Sequence, residues 1–316
     1  MGKDLHDNFA CARHVFEEVD ESLQTNLSRL MFEGLSSELQ LTENAQPAIV
    51  AHCAALLAVL ESECDVVIRP TTTAALLGHS LGEFTAYCAA SVFSLADVVR
   101  LVRFRGREMQ ACAPNDGGKM VALFPVRGGE TAVQELCIAS TEKTGQVCTI
   151  ANVNSSAQIV ISGETTAVSW AADRAVQERV ARRAVTLDTS APFHCQLMKP
   201  AGQRLQECVK DLLSDTPHKS NSTTSKLSVP VISNTTADFI DDISLLPSIV
   251  RQHATDSVLW YQSMLKVKPL LSDPSVILCL GPGSTLQSLF KTEGMGSYVH
   301  GLDDVESVRS LLDRLS

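Results

Sequence analysis

Gly78-His79-Ser80-Leu81-Gly82 constrains this chain more than any other five residues. The pentapeptide follows an aliphatic run, Ala74–Leu77, and opens a helical pattern from Leu81 to Ala90. A serine between two glycines at a strand-to-helix turn is the setting of a nucleophile elbow. The turn is tight enough that bulky neighbours would clash, and it presents the hydroxyl at a helix N-terminus. There the helix dipole and the next backbone N–H, that of Leu81, can stabilise a developing oxyanion. Such a turn needs a strand held in a sheet and a helix packed beside it, so the chain must build an α/β layer structure.

The rest of the 316 residues fits that demand, with a length that suggests about two domains. The first third is helical in pattern: Leu5, Phe9, Val15 and Phe16 recur at near-helical intervals, and Gln46–Glu63 has an apolar face of Ala48, Ala51, Ala55, Leu56 and Val59. A short strand is expected at Val66–Ile68, and a helix at Ser94–Cys112 opened by Ser94-x-x-Asp97. The middle third then reads strand (Met120–Phe124), helix (Glu130–Ile138), two strands (Val147–Val153, Gln158–Ser162), helix (Thr165–Arg179) and strand (Arg183–Leu187). That β-α-β-β-α-β order is the ferredoxin-like signature, which places an inserted small domain at 119–188. Residues 1–118 and 189–316 make the large domain. Its later strands, Val229–Ser233, Val276–Leu280 and Tyr298–Leu302, alternate with helices, the pattern of a parallel sheet.

Composition removes several function classes. Hydrophobic residues at 45% and charged residues at 20% exclude intrinsic disorder. The longest apolar run, Ala54–Leu60, is far shorter than the ~20 residues of a membrane span. Lys+Arg 26 against Asp+Glu 36 gives a net charge of −10, which argues against nucleic acid as a general partner. The ten cysteines show no CxxC spacing, and there is no Walker motif, HExxH or dinucleotide fingerprint, so neither a metal nor a cofactor is expected. Free thiols suit a reducing compartment. Four N-x-[ST] sequons, at Asn26, Asn154, Asn221 and Asn234, are read as chance.

A serine nucleophile needs a base. His79 adjoins Ser80 but points away on an extended turn, where packing is its expected job. His194, after Pro192-Phe193, and His300, after the last strand, are equal candidates by spacing. Arg105 is the most informative charge. It falls at helical spacing on the apolar face formed by Leu95, Val98, Val102 and Met109, where a guanidinium needs an anionic partner. That partner is either an internal carboxylate or the carboxylate of a substrate held in a bidentate clamp near Ser80.

Taken together, MGKDLHDNF, LTENAQPAI, GHSLGEF, VRFRGREMQ, ANVNSSAQIVISG, SAPFHCQLMKP, IVRQ and GPGSTLQSLFK resemble the malonyl-CoA:acyl carrier protein transacylase family over nearly the whole chain. The resemblance implies a hydrolase-like α/β domain with an inserted ferredoxin-like domain and a cleft between them. It makes Ser80 the nucleophile, His194 the base and Arg105 the clamp on the malonyl carboxylate. It also gives Gln252 the backbone carbonyl that orients the His194 ring, and makes Phe193 part of a malonyl-preferring pattern. Malonyl-CoA and acyl carrier protein are the implied partners of a monomer. A surface of Arg174, Arg179, Arg182, Arg183, Lys199 and Arg204 is a candidate contact for an acidic carrier. The family opens with a strand ending in a Gly-Gln-Gly-x-Gln loop; Met1-Gly2-Lys3 aligns just after it, so that strand and its oxyanion donor are expected to be missing here. A serine esterase of the same architecture, with a triad acid on His300, and a non-catalytic form are the alternatives. The cysteines and the polar stretch 218–226 tilt the compartment toward a mitochondrial matrix, with a bacterial cytoplasm as the other option.

Overall fold

Five helices precede the elbow: α1 (Lys3–Asn8), α2 (Ala10–Leu23), α3 (Leu27–Glu33), α4 (Ser36–Leu39) and α5 (Thr42–Cys64). They belong to a computed structural model that describes residues 1–126, 129–215, 226–240 and 242–315. The polar stretch 218–226 and Asn221 fall almost wholly outside those residues. Helix α5 is the spine of the large core. Ala48, Ala51, Ala55, Leu56 and Val59, the face expected from the sequence, are all fully buried. By length and apolarity α5 could also cross a bilayer, which the short run Ala54–Leu60 did not suggest; 56% of its most apolar stretch is buried inside the fold.

Helix α6 (Leu81–Ala89) starts at the elbow, and α7 (Leu95–Ala111) follows, its N-terminus capped by the Ser94 hydroxyl accepting from the Asp97 N–H at 3.1 Å. Both lie against α5, sharing a core of Phe84, Tyr87, Val98, Leu101 and Val102. The expected strand at 66–68 does not form. The Val66 amide is spent on the Leu60 carbonyl (3.1 Å), which closes the end of α5.

The middle third forms a four-stranded antiparallel sheet. Its elements are β1 (Lys119–Pro125), α8 (Glu130–Thr144), β2 (Cys148–Ser155), β3 (Gln158–Gly163), α9 (Thr165–Gln177) and β4 (Ala181–Thr186), in the spatial order β2-β3-β1-β4. Period-two alternation sorts its two faces. Val121, Leu123, Ile159 and Ile161 pack under α8 and α9. Met120, Ala122 and Val160 point the other way and meet Phe193.

Beyond it come α10 (Lys199–Asp215), α11 (Leu246–Thr255), α12 (Trp260–Val267), β5 (Ile277–Leu280), α13 (Thr285–Thr292), β6 (Val299–Leu302) and α14 (Val305–Leu315). Strands β5 and β6 pair in parallel. The expected strands at 74–77 and 229–233 are reduced to one parallel bridge, Leu76 to Val231. Pro230 has no N–H to donate, so the run supplies only a carbonyl there, accepting from Leu76 at 2.8 Å. The parallel sheet is thus present in pieces among the described residues. A second bridge, Asn152 to Val258, ties β2 to the segment before α12.

Candidate active site

Ser80 stands at φ 49°, ψ −108°, between the Leu76 bridge and the first residue of α6. That backbone conformation is strained for any residue with a side chain. The two glycines serve it differently. A Cβ on Gly78 would sit 1.9 Å from the Gly82 carbonyl carbon, so residue 78 must lack one. A Cβ on Gly82 would meet nothing within 4 Å, so the expected clash does not arise there. The Leu81 N–H, at the first position of α6, finds no acceptor among the described residues. It is free to donate beside the Ser80 hydroxyl.

Two side chains reach that hydroxyl. His194 Nε2 lies 2.8 Å from Ser80 Oγ, and Arg105 Nη2 donates to the same oxygen at 3.1 Å. The arginine fills an acceptor position on Oγ, which leaves the hydroxyl proton aimed at His194. Burial, then the Arg105 and His79 charges, push the His194 pKa down to about 3, so the imidazole is neutral near pH 7. Its Nδ1 is buried without a well-formed hydrogen bond, although the backbone of Asp256 and His253 favours a proton on the ring. Gln252 does not play the part expected of it. Its carbonyl accepts from the Asp256 N–H (2.8 Å) and the Thr255 hydroxyl (3.2 Å), the ordinary use of a carbonyl at a helix end.

Arg105 is 3% exposed on α7. Its Nη1 donates to Gln46 Oε1 at 2.7 Å, its Nε has no partner, and its guanidinium lies over the Phe84 ring. No carboxylate comes within 4.0 Å of it among the described residues. Burial lowers its pKa to about 10, opposed by the more distant Glu83, and it stays cationic. The internal ion pair that sequence reasoning allowed is not formed.

His300 is elsewhere: on β6, its Nδ1 accepts from Arg314 at 2.8 Å. His79 packs as expected, bonded to Asn154 Oδ1 (2.8 Å) with its ring against Trp260. Phe193 bridges the small sheet and the cluster of Met109, Met198 and Ala254.

Sequence reasoning missed Gln46, Glu83, Asn234 and His253. Asn234, set aside as a chance sequon, is 1% exposed and bonds both Ser80 N–H and the Gly78 carbonyl. His253 Nε2 donates to the Ser80 carbonyl at 3.1 Å. Glu83 is fully buried beside Tyr87, and burial lifts its pKa to about 7. For Gln46, Glu83 and His253 the available signal was a polar residue at a helix position otherwise facing the core, as for Arg105; Asn234 lies in a turn and carried no such signal.

Four histidines, the buried His52, His194 and His253 and the half-buried His79, have pKa values lowered chiefly by loss of solvation. Each contributes stability that is complete above the unfolded value near 6.5 and lost as pH falls toward the folded one. Glu83 works the opposite way, its contribution full below 4.5 and lost as pH rises to about 7. Four groups outweigh one, so acidification from pH 6.5 to 4.5 destabilises the fold, by roughly 1.4 kcal/mol per pH unit for each net proton. Thermal melts across that range test this; a melting temperature that holds or rises toward pH 4.5 contradicts it.

The acyl transferase domain family matches residues 1–262. A malonyl CoA-acyl carrier protein transacylase of Bacillus subtilis is 34% identical over 320 residues, spanning 100% of this chain and 92% of that protein. The chain belongs to this transacylase family. Solved members share its fold. The acyl-carrier-protein-S-malonyltransferase of Bartonella henselae superposes with a TM-score of 0.86 at 35% identity, covering 100% of this chain and 94% of that one. A malonyl-transacylase solved in complex with its type II PKS acyl-carrier protein gives 0.85 at 26% identity, over 99% and 94%. Family membership makes the protein an acyltransferase of α/β fold.

Proposed function

We propose that the protein moves a malonyl group from malonyl-CoA to the phosphopantetheine thiol of acyl carrier protein through a malonyl-Ser80 ester. Neutral His194 takes the Ser80 proton as Oγ attacks the thioester carbonyl. The oxyanion forms against the Leu81 N–H. CoA leaves as its thiol, taking the proton back from His194. The carrier thiol then gives its proton to His194 and attacks the ester, and Ser80 recovers its proton as it leaves.

The observation that carries this reading is Arg105: a buried cation, tethered by the neutral amide of Gln46 rather than by an acid, within one hydrogen bond of the nucleophile. Such a group asks for a carboxylate close to the reacting carbonyl, which malonyl provides two bonds away and a plain acyl chain lacks. The esterase alternative placed an acid on His300, and that histidine faces Arg314 instead.

The strand order and helix placement of the middle third support a ferredoxin-like insertion at 119–188 in a hydrolase-like large domain. The carrier-facing basic surface is weaker than its sequence suggests, since Arg174 pairs with Glu178 and Arg204 with Glu108. The named relatives are bacterial and favour the bacterial compartment; they lend no support to a mitochondrial one.

Intact-mass analysis after malonyl-CoA tests the mechanism. One malonyl adduct should appear, map to Ser80, and discharge on addition of acyl carrier protein. An adduct on another residue overturns the mechanism, and one lost to water equally fast without carrier restores the esterase.

A further inference from the structure

The strain at Ser80 has to be held by something, and the sequence around the elbow does not supply it. Within the turn, the Gly82 N–H bonds the His79 carbonyl (2.9 Å) and the Glu83 N–H bonds the Ser80 carbonyl (3.0 Å). Both lie on the helix side of the serine. The strand side is held by one residue from 154 positions away. Asn234 Oδ1 accepts the Ser80 N–H at 2.6 Å, and Asn234 Nδ2 donates to the Gly78 carbonyl at 2.7 Å. One amide thereby closes a ring over residues 78–80, using both ends of its side chain.

Asn234 is itself fixed at every polar atom. Its backbone N–H donates to Glu83 Oε2 at 2.7 Å, and its carbonyl accepts the Leu259 N–H at 2.8 Å. Glu83 Oε1 accepts a hydrogen bond from the Tyr87 hydroxyl, and His253 Nε2, bonded to the Ser80 carbonyl, lies 3.7 Å from Glu83 Oε2. The four residues are all buried. None of them touches the Ser80 hydroxyl among its described contacts, so none is placed to handle the proton or the acyl group.

We propose that Asn234 is a positioning residue, whose side-chain amide holds Ser80 in its strained conformation so that Oγ stays on His194 and the Leu81 N–H stays on the oxyanion. The proposal rests on Ser80 being the nucleophile. A neutral amide suits the task because it must accept from one backbone group and donate to another two residues away; an ionised carboxylate only accepts, and a hydroxyl would have to make both bonds from a single oxygen. If the amide is lost, the elbow relaxes, and an error of about an ångström in Oγ or in the oxyanion donor costs ~10²-fold in rate. The clamp of Arg105 and Gln46 is built on α7 and α5 and does not pass through Asn234. Substrate binding is therefore spared.

The test compares steady-state malonyl transfer by the native protein, Asn234→Ala and Asn234→Asp, with peptide mapping of the acyl adduct in each. Alanine should lower kcat by about 10²-fold while KM for malonyl-CoA stays within about threefold. Aspartate keeps the volume and the acceptor for Ser80 N–H but lacks the donor to Gly78, and should recover part of the loss. If the alanine variant does not fold, the aspartate variant decides, with a kcat loss of at least about tenfold at near-native KM expected. Folded variants with native kcat overturn the proposal and leave the nucleophile assignment standing. A loss that falls on KM alone also overturns it. An adduct mapped away from Ser80 in the native protein overturns both.

Discussion

Replacing His194 by alanine should slow acylation by malonyl-CoA by roughly 10²–10⁴-fold, the range that a positioned general base contributes. The Ser80 Oγ–H points at a neutral imidazole 2.8 Å away, and Oγ's other described partner, Arg105, is a cation that cannot accept a proton. His300→Ala should stay within about threefold of native, the usual reach of a surface change. Because the folded His194 pKa is near 3, the base remains neutral well below 6.5. The acid limb of kcat/KM should accordingly lie below the value of an ordinary histidine. Stopped-flow acylation at several pH values measures both. Equal losses at His194 and His300 would falsify the assignment of the base.

Arg105→Ala should cut malonyl transfer by about 10²–10³-fold, since truncating one partner of a buried charged hydrogen-bonded pair costs about 2–5 kcal/mol. Acetyl transfer has no carboxylate to lose and should change far less, so the malonyl-to-acetyl ratio collapses. Lysine should restore only part of it, because an ammonium lacks the planar fork that reaches two oxygens while holding Gln46. A second effect has a definite sign. The Arg105 charge is one of the causes that depress the His194 pKa. Its removal should move the acid limb upward, toward 6.5. If the ratio is unchanged and only the melting temperature falls, Arg105 serves the fold and not the substrate.

The sequence carried the local features well and the long-range ones poorly. The helices of the first third, the six elements of the middle third and the elbow were legible because each is written in a period of 3.6 or 2 over neighbouring residues. Arg105 was legible as a charge breaking an apolar stripe. What holds it was not: Gln46 lies 59 residues away on another helix, and its amide meets the guanidinium only after α5 and α7 pack. Asn234 lies 154 residues from the turn it holds. The choice between His194 and His300 is likewise a distance across the fold, which spacing cannot express. The strands at 66–68 and 229–233 failed for a local reason that propensity overlooks, namely where particular backbone hydrogen bonds go. Val66 spends its amide on a helix end, and Pro230 has none.

His194 follows directly on Phe193, the residue that joins the outer face of the small sheet to the core beside α10 and α11. Ser80 is held through Leu76, Asn234 and α6, and also by His253 of α11, which donates to its carbonyl at 3.1 Å. Helix α11 thus meets both ends of the 2.8 Å contact between nucleophile and base, the serine through His253 and the base through the Ala254 cluster that Phe193 joins. A substitution that displaces that one helix would therefore disturb the serine and its neighbouring imidazole together, from a single point outside the pair.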